Sequence, residues 1–199
     1  TGSDSYNDYA TIKYTADGDQ LWVARYNGAL NSYDGASALV VDGTGNVYVT
    51  GYSGGSATSN DYTTIKYDAA GVQVWVSRYD GPLSSDDEAN ALAVDKSGNV
   101  YVTGSSNGLG TYSDYATVKY DAAGVQQWVA RYNGPGNSHD GGYALAVDGS
   151  GNVFVTGFCE DSTSYLDFAT IKYDQAGNEK WAVSYDGPGN SADYASFIY

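Results

Sequence analysis

An all-β fold, a β-propeller of four-stranded blades, is predicted by three features of the sequence. The same residue pattern repeats with a period of 53, as from Asp42 to Asp95 and on to Asp148. Within each repeat, short runs rich in Val, Tyr and Thr alternate with Gly-containing turns, which favours strands over helices. A fixed period with four strands in each unit is typical of propellers, whose neighbouring blades bury each other's apolar faces.

The turns within each repeat share the pattern Asp-x-x-Gly. The Asp side chain accepts hydrogen bonds from backbone amides two residues on, and the Gly supplies the positive φ that closes a hairpin. The turns span 42–45, 68–71, 95–98, 121–124, 148–151 and 174–177, and the first copy departs with Thr15 at 15–18. Each repeat is therefore two hairpins in series, which favours antiparallel blades over the parallel rungs of a β-solenoid.

The whole chain, 1–199, is predicted to form a single propeller domain or a segment of one. An outer hairpin spans 8–26, blades span about 37–79, 90–132 and 143–185, and a terminal inner strand spans 194–199. This gives about four blades, of which the last is incomplete or shared between the termini. Because the sequence starts with Thr-Gly-Ser, we expect a processed or excised piece. An open strand edge favours self-association.

Aromatic residues recur in register from one repeat to the next. Packing between blades explains these rows better than a cofactor site does. The corresponding tryptophans are Trp22, Trp75, Trp128 and Trp181, and the corresponding third-strand aromatics are Tyr9, Tyr62, Tyr115 and Phe168.

The chain is acidic, with a formal net charge of −15 and only nine Lys and Arg residues. Nucleic-acid binding needs a basic surface that neutralises phosphates, so that class of partner is excluded. No run of apolar residues is long enough to predict a membrane span. The acidic charge serves solubility or, in the alternative interpretation, cation binding.

Few residues are suited to catalysis. His139 is the sole histidine and lies in a crossover without a histidine in the other copies, so we interpret it as a surface residue. Cys159 is the sole cysteine, which leaves the redox compartment open. The sequence has no phosphate-binding Gly-rich loop, His-x-x-x-His pair or nucleophile elbow. We predict that the protein is not an enzyme and has no resident cofactor except Ca²⁺ in the interpretation that follows.

Four aspartates recur at the full period, just before the first predicted strand of each repeat. In a ring they would circle one mouth of the central channel, where converging carboxylates attract a hard cation such as Ca²⁺. In the alternative interpretation each aspartate caps its own crossover turn through backbone amides. The four residues are Asp34, Asp87, Asp140 and Asp193.

The predicted loops 52–60, 105–113 and 158–166 differ strongly between otherwise similar repeats. Variation on a rigid scaffold diversifies a binding surface, but it also arises in loops under no constraint, and both interpretations stand. Their Tyr, Ser, Asn and Gly content suits a glycan or a protein surface. The candidate ligand-binding residues are Tyr52, Asn60, Asn107, Tyr112 and Tyr165.

The runs from 114 to 132 and from 143 to 157 resemble the bacterial beta-propeller repeat SBBP and are more distantly similar to NHL repeats. The resemblance implies a prokaryotic secreted or cell-surface protein with no catalytic motif. By analogy with NHL blades it makes 91–95 an innermost strand and 126–132 an outer one. We expect a binding or adhesion module that acts through its variable loops. The alternative is a structural protein whose copies complete blades between chains, and a metal-dependent enzyme ranks last.

Overall fold

Fourteen strands, all paired antiparallel, make up the part of the chain that the computed structural model describes. The described residues are 6–55, 59–160, 166–188, 192, 193, 195, 197 and 198. Among them there is no helix, and so none long and apolar enough to cross a membrane. The predicted all-β class is confirmed.

The strands form one two-stranded sheet and three four-stranded sheets, each with its strands in chain order. The two-stranded sheet, called here the outer hairpin, pairs β1 (Tyr9–Tyr14) with β2 (Gln20–Tyr26). The first blade consists of β3 (Asp34–Val41), β4 (Val47–Gly54), β5 (Asn60–Tyr67) and β6 (Gln73–Tyr79). The second blade consists of β7 (Asp87–Val94), β8 (Val100–Asn107), β9 (Ser113–Tyr120) and β10 (Gln126–Tyr132). The third blade consists of β11 (Asp140–Val147), β12 (Val153–Glu160), β13 (Leu166–Tyr173) and β14 (Glu179–Tyr185).

The turn between β7 and β8 shows how Asp-x-x-Gly closes a hairpin. Asp95 accepts the backbone amide of Ser97 on its side chain at 2.8 Å, while its carbonyl accepts the amide of Gly98 at 3.0 Å. Gly98 has φ +80°, a conformation that a side chain at this position would strain. Thr15, which replaces the Asp in the outer hairpin, accepts the amide of Gly18 at 3.1 Å, so this turn keeps the same backbone bond.

Each innermost strand carries a bulge near its start. In the second blade the pairing shifts between Ala89 and Ala91, which leaves Asn90 without a partner across the ladder. The bulge brings the backbone close to Gly104 on β8, where a Cβ would overlap the carbonyl oxygen of Glu88. Glycine is therefore required at this position by close backbone approach.

The second strands are longer than the sequence predicts. The ladder between β4 and β5 continues to Gly54 opposite Asn60, and the ladder between β8 and β9 continues to Asn107 opposite Ser113. Tyr52 and Asn107 therefore lie on strands and not in the loops to which the variable sequence assigned them. Strand pairing uses backbone groups, so it continues through residues whose side chains follow no apolar pattern. The innermost strands likewise start at Asp34, Asp87 and Asp140, three residues before the predicted blade starts.

The core lies between adjacent sheets, as in a stack of blades. Tyr62 on β5 is fully buried against Val100 and Val118 of the second blade. Its hydroxyl donates a hydrogen bond to the carbonyl of Ala116 at 3.2 Å. The same bond joins the other neighbouring sheets, from Tyr9 to the carbonyl of Thr63 and from Tyr115 to that of Ala169. The aromatic rows of the outer hairpin and of the first two blades therefore pack against the next blade, as predicted, whereas Trp181 of the third blade contacts Phe154 of its own blade.

The two ends of the stack are less covered than its middle. Leu39 on β3 is 51% exposed, whereas the equivalent Leu92 in the second blade is 6% exposed. Of the predicted terminal strand 194–199, residues 194, 196 and 199 lie outside the described residues. Ala195, Phe197 and Ile198 belong to no strand.

Candidate functional site

The antiparallel topology places two kinds of loop at the same end of the strands. The crossovers between successive sheets span 27–33, 80–86 and 133–139, and the loops between second and third strands lie beside them. We call this surface the crossover face, and we call the opposite end, which carries the Asp-x-x-Gly turns, the turn face. All of the predicted binding residues within the described part of the chain lie at the crossover face.

Each predicted ring aspartate caps the crossover that precedes it. Asp87 accepts the backbone amide of Gly81 at 2.6 Å, and Asp140 accepts that of Gly134 at 2.6 Å. A Cβ at Gly81 would lie within 2.6 Å of the Asp87 carboxylate, so the glycine lets the crossover fold over the acid. The equivalent pairs are Asp34 with Gly28 and Asp193 with Gly187. This is the capping geometry that the sequence offered as the alternative to a cation site.

Burial changes the acidity of these caps. It raises the pKa of Asp140 to about 6, against the hydrogen bonds from the amides of Gly134 and Glu160, which lower it. The negative charges of Asp114 and Glu160 add to the increase. Burial also raises the pKa of Asp87, where the Ser106 hydroxyl and the Gly81 amide oppose it. A buried carboxylate with two donors is thus less acidic than one in water.

The structure does not bring the four predicted aspartates into one group. Among the described residues, two clusters of three carboxylates have oxygens within 4.8 Å of one another, and each contains one of the four. The clusters are Asp61 with Asp80 and Asp87, and Asp167 with Asp186 and Asp193. These are the described residues whose oxygens could hold a cation together, although Ca²⁺ takes six to eight oxygen ligands. Calcium binding therefore stays a prediction.

An arginine already neutralises one member of the first cluster. The guanidinium of Arg78 lies 3.0 Å from the Asp61 carboxylate and also donates to the carbonyls of Ser53 and Gly54. In the second blade Arg131 pairs with Asp114 at 2.9 Å in the same way. Ser184 occupies the corresponding position in the third blade. The arginines fasten the outermost strand to the start of the third strand.

The sequence interpretation missed the other members of these clusters. Asp80 and Asp186 follow the outermost strands, and asparagine occupies the same position in the alternate copies as Asn27 and Asn133. This alternation was the available signal. It identifies the position but not its neighbours, which come from strands that are distant in sequence.

The five candidate ligand-binding residues have different surroundings. Tyr52 lies on β4 and covers Gly35, where a Cβ would lie within 2.7 Å of the tyrosine ring. The Asn60 backbone amide donates to Asp86, and the Asn107 side chain donates to Ser85 at 2.8 Å. Tyr165 lies outside the described residues. Tyr112 is 61% exposed, which leaves most of its ring open to a ligand.

Two exposed ring pairs are formed by residues outside the strands in the described part of the crossover face. Tyr6 meets Tyr33 edge-on with centroids 5.0 Å apart, and Tyr112 lies 4.7 Å from the His139 ring. The Nδ1 of His139 is also 3.2 Å from the Ser113 hydroxyl. His139 is thus part of an aromatic surface, which sequence reasoning did not foresee because its position holds Tyr33 in one copy and Asp86 in another.

The hollows near these groups are shallow. On the crossover face a hollow of about 280 Å³ is lined by Leu30, Asp61 and Arg78, among others. At the turn face, a hollow of about 430 Å³ lies between the second and third blades and is lined in part by Asp95 and Asp148. Such surfaces suit a ligand that lies across a face more than one enclosed in a cavity.

Two comparisons with known proteins agree with this architecture. The family model of the beta-propeller repeat SBBP matches residues 74–110. An uncharacterized WD repeat-containing protein, L264 of Acanthamoeba polyphaga mimivirus, is 24% identical to this chain over an alignment of 243 positions. The alignment covers 92% of this chain and 17% of that protein. The chain thus spans about a sixth of the length of this relative. The match confirms the resemblance drawn from the sequence over residues 74–110, which are similar to the beta-propeller repeat SBBP.

Proposed function

We propose that this chain is a non-enzymatic binding module of a secreted or cell-surface prokaryotic protein, and that it binds a neutral glycan across its crossover face. The observation that carries the proposal is the pair of exposed ring contacts, Tyr6 with Tyr33 and Tyr112 with His139. The C–H groups of a sugar ring pack on aromatic faces, and tyrosine offers a rigid face with a polar end.

The loop that presents Tyr112 is short and internally bonded. The backbone amide of Gly108 donates to the carbonyl of Tyr112 at 2.9 Å, and Gly110 adopts φ +81°. The Thr111 hydroxyl donates to Asp114 at 3.1 Å, which ties the loop to β9. A ring held in this way loses little conformational entropy when a ligand packs on it.

Polar groups beside each ring pair suit the hydroxyl groups of a sugar. The side chains of Asn27 and Asn31 bond each other in the crossover next to Tyr33. Those of Asn133 and Asn137 do the same next to His139. The net charge of −15 repels sulfated and sialylated glycans, which is why the proposal specifies a neutral one.

A glycan array that carries neutral, sialylated and sulfated glycans tests this proposal. We expect wild-type chain to bind neutral oligosaccharides, and Tyr112→Ala to bind the strongest of them about tenfold or more weakly, as loss of a main contact does. Val125→Ala, which removes an exposed apolar side chain from the turn face, is the matched control and keeps full binding. The bound oligosaccharide is recovered uncleaved.

Two results would contradict the proposal. One is equal binding by wild type and Tyr112→Ala, because the ring pair would then not belong to the binding site. The other is an array without a neutral ligand, which leaves a protein surface as the class of partner. Cleavage of a bound oligosaccharide would contradict the non-enzymatic assignment alone.

A structural, self-assembling function is the second candidate. The observation that favours it is that apolar side chains at the two ends of the stack of sheets are exposed, as for Leu39 on β3 and Val183 on β14. Assembly through these surfaces is compatible with glycan binding, because the crossover face lies at the strand ends and not on the blade faces.

A further inference from the structure

The three interfaces between neighbouring sheets share one contact, which we call the tryptophan seat. Trp75 of the first blade lies over Gly124 of the second, where a Cβ would come within 2.7 Å of the indole. The indole Nε1 donates to the carbonyl of Ala122 at 3.2 Å, and the ring lies 6.5 Å from that of Tyr120. The seat thus consists of a third-strand tyrosine, a carbonyl two residues later and a turn glycine.

The other two internal interfaces repeat this seat. Trp22 of the outer hairpin donates to Ala69 at 3.3 Å, and Trp128 of the second blade donates to Gln175 at 3.1 Å. The tyrosines of all three seats are 1% exposed. The seats are Tyr67 with Ala69 and Gly71, Tyr120 with Ala122 and Gly124, and Tyr173 with Gln175 and Gly177.

The outer hairpin carries a fourth seat that is uncovered. Its residues by register are Tyr14, Ala16 and Gly18. Gly18 has φ +90°, close to the +82° of Gly124, so the turn has the shape of the covered seats. No atom of the described chain would lie within 4 Å of a Cβ on Gly18, and Tyr14 is 55% exposed.

Trp181 of the third blade occupies no such seat among the residues that the structure describes. Trp181 is 40% exposed, and its ring contact is with Phe154 of its own blade at 6.1 Å. Val183 beside it is 56% exposed, whereas the equivalent Ala130, which faces the third blade, is 8% exposed. The chain therefore displays both halves of the interface that it forms three times internally, one at each end of the stack.

We propose that Trp181 of one copy of this chain docks into the seat formed by Tyr14, Ala16 and Gly18 of a second copy. The partner is a second copy because the docking surface continues an interface already established within the chain. The proposal rests on the second candidate function, self-assembly, and specifies the contact through which the copies associate. Because the two surfaces differ, the contact joins copies head to tail and either closes a ring or extends into a filament.

The contact between copies lacks one bond that the internal interfaces have. Tyr9, Tyr62 and Tyr115 each donate a hydroxyl to the next sheet, but Phe168 at the equivalent position has no hydroxyl to donate. Lys172 retains the ammonium that Lys13 and Lys119 direct to the seat carbonyl. The net charge of −15 on each copy opposes association, so we expect it to be reversible and strengthened by salt.

Sedimentation velocity over a range of concentrations of the full chain tests the contact. We expect wild type to form concentration-dependent oligomers, and Trp181→Ala and Tyr14→Ala each to weaken self-association at least tenfold. Both residues are exposed in the single chain, so circular dichroism should show unchanged folding. Val125→Ala, exposed and remote from both ends of the stack, leaves association unchanged. Phe168→Tyr restores the missing donor and strengthens association.

Mixing the two variants tests the head-to-tail geometry. Trp181→Ala keeps an intact seat and Tyr14→Ala keeps an intact tryptophan, so an equimolar mixture forms a one-to-one complex that does not extend further. Undiminished self-association of both variants would overturn this contact, and the copies would then assemble through another surface. A monomer at every concentration and salt level would overturn the contact and the assembly function together.

Discussion

The innermost strand of the third blade has an aspartate at each end, and the two carboxyl groups differ in acidity. Asp140 at its start is fully buried, and burial raises its pKa to about 6. Asp148, just after its end, has a lowered pKa, chiefly because the side chain and the amide of Asn152 donate to it. The same residue type, eight positions apart, is therefore a weaker acid than usual at one face and a stronger acid at the other.

The second blade repeats this difference. Burial raises the pKa of Asp87. At Asp95 burial acts in the same direction, but hydrogen bonds from Asn99, Ser97 and Tyr101 together outweigh it and lower the pKa. The periodic aspartates therefore have two different structural roles. The turn aspartates satisfy donors within a few residues, whereas the crossover aspartates are enclosed by packing of separate elements.

The largest expected effect comes from removing a crossover cap. Asp140→Ala leaves the amides of Gly134 and Glu160 without their acceptor in a buried place, so we expect the free energy of unfolding to fall by about 3 kcal/mol. Urea unfolding at pH 7 measures it. Asp148→Ala is the matched control at the other end of the strand and should cost less, because water can reach its donors. Equal losses of stability in the two variants would contradict the difference between crossover and turn aspartates.

The next effect is a pH dependence. A carboxyl whose pKa rises on folding, from 3.8 to about 6 for Asp140, favours the folded state below pH 3.8, and this contribution is lost as the pH rises through 6. Asp140→Asn removes the titration, so the difference in unfolding free energy between wild type and variant should change by about 1 to 2 kcal/mol between pH 4 and pH 7. Thermal unfolding at a series of pH values measures it. A constant difference would show that Asp140 titrates normally.

A turn aspartate should show the opposite pH dependence. Asp95→Ala removes the acceptor of four donors at the turn, and we expect a loss of about 1 kcal/mol at pH 7. Because the pKa of Asp95 is lowered on folding, its contribution is present above pH 3.8 and is lost as the pH falls below it. The variant and wild type should therefore converge in acid, as measured by urea unfolding at pH 7 and pH 2. Divergence in acid would contradict this.

The smallest effect concerns the residue that alternates between copies. Asn133→Asp gives the second crossover the carboxylate that Asp80 supplies in the first, where its charge raises the pKa of Asp87. We expect a loss of roughly 0.5 kcal/mol at pH 7 and none at pH 4. The reciprocal Asp80→Asn should give a gain of similar size. Urea unfolding of the two variants side by side measures both changes in the free energy of unfolding. Changes of the same sign would contradict the predicted effect of the crossover charge.

The sequence predicts most of the fold because its signals are local. The turn at Asp95 depends on residues within four positions of it. The regular spacing of equivalent turns along the chain gives the number of blades. The extension of β8 to Asn107 was not predictable from side chains, because the backbone of β9 supplies the pairing. The start of β7 at Asp87 depends likewise on the crossover amide of Gly81.

The candidate site was less predictable for the same reason. The exposure of Tyr112 agrees with its assignment to a variable loop, but Tyr52, which was assigned to the equivalent loop, lies on β4 and covers Gly35. Clusters such as Asp61, Asp80 and Asp87 unite residues from two blades, and a pattern in one strand contains no information about the neighbouring blade.

The near identity of the blades has a consequence for folding. β5 and β9 share the pattern Asp-Tyr-x-Thr-x-Lys-Tyr and pair with their neighbours in the same register, so we expect the ladder of one blade to be able to accept the equivalent strand of another. A chain refolding from denaturant therefore faces mispaired, strand-exchanged states of nearly native energy. Synthesis on the ribosome avoids this competition, because each blade can complete its hairpins before the next one emerges.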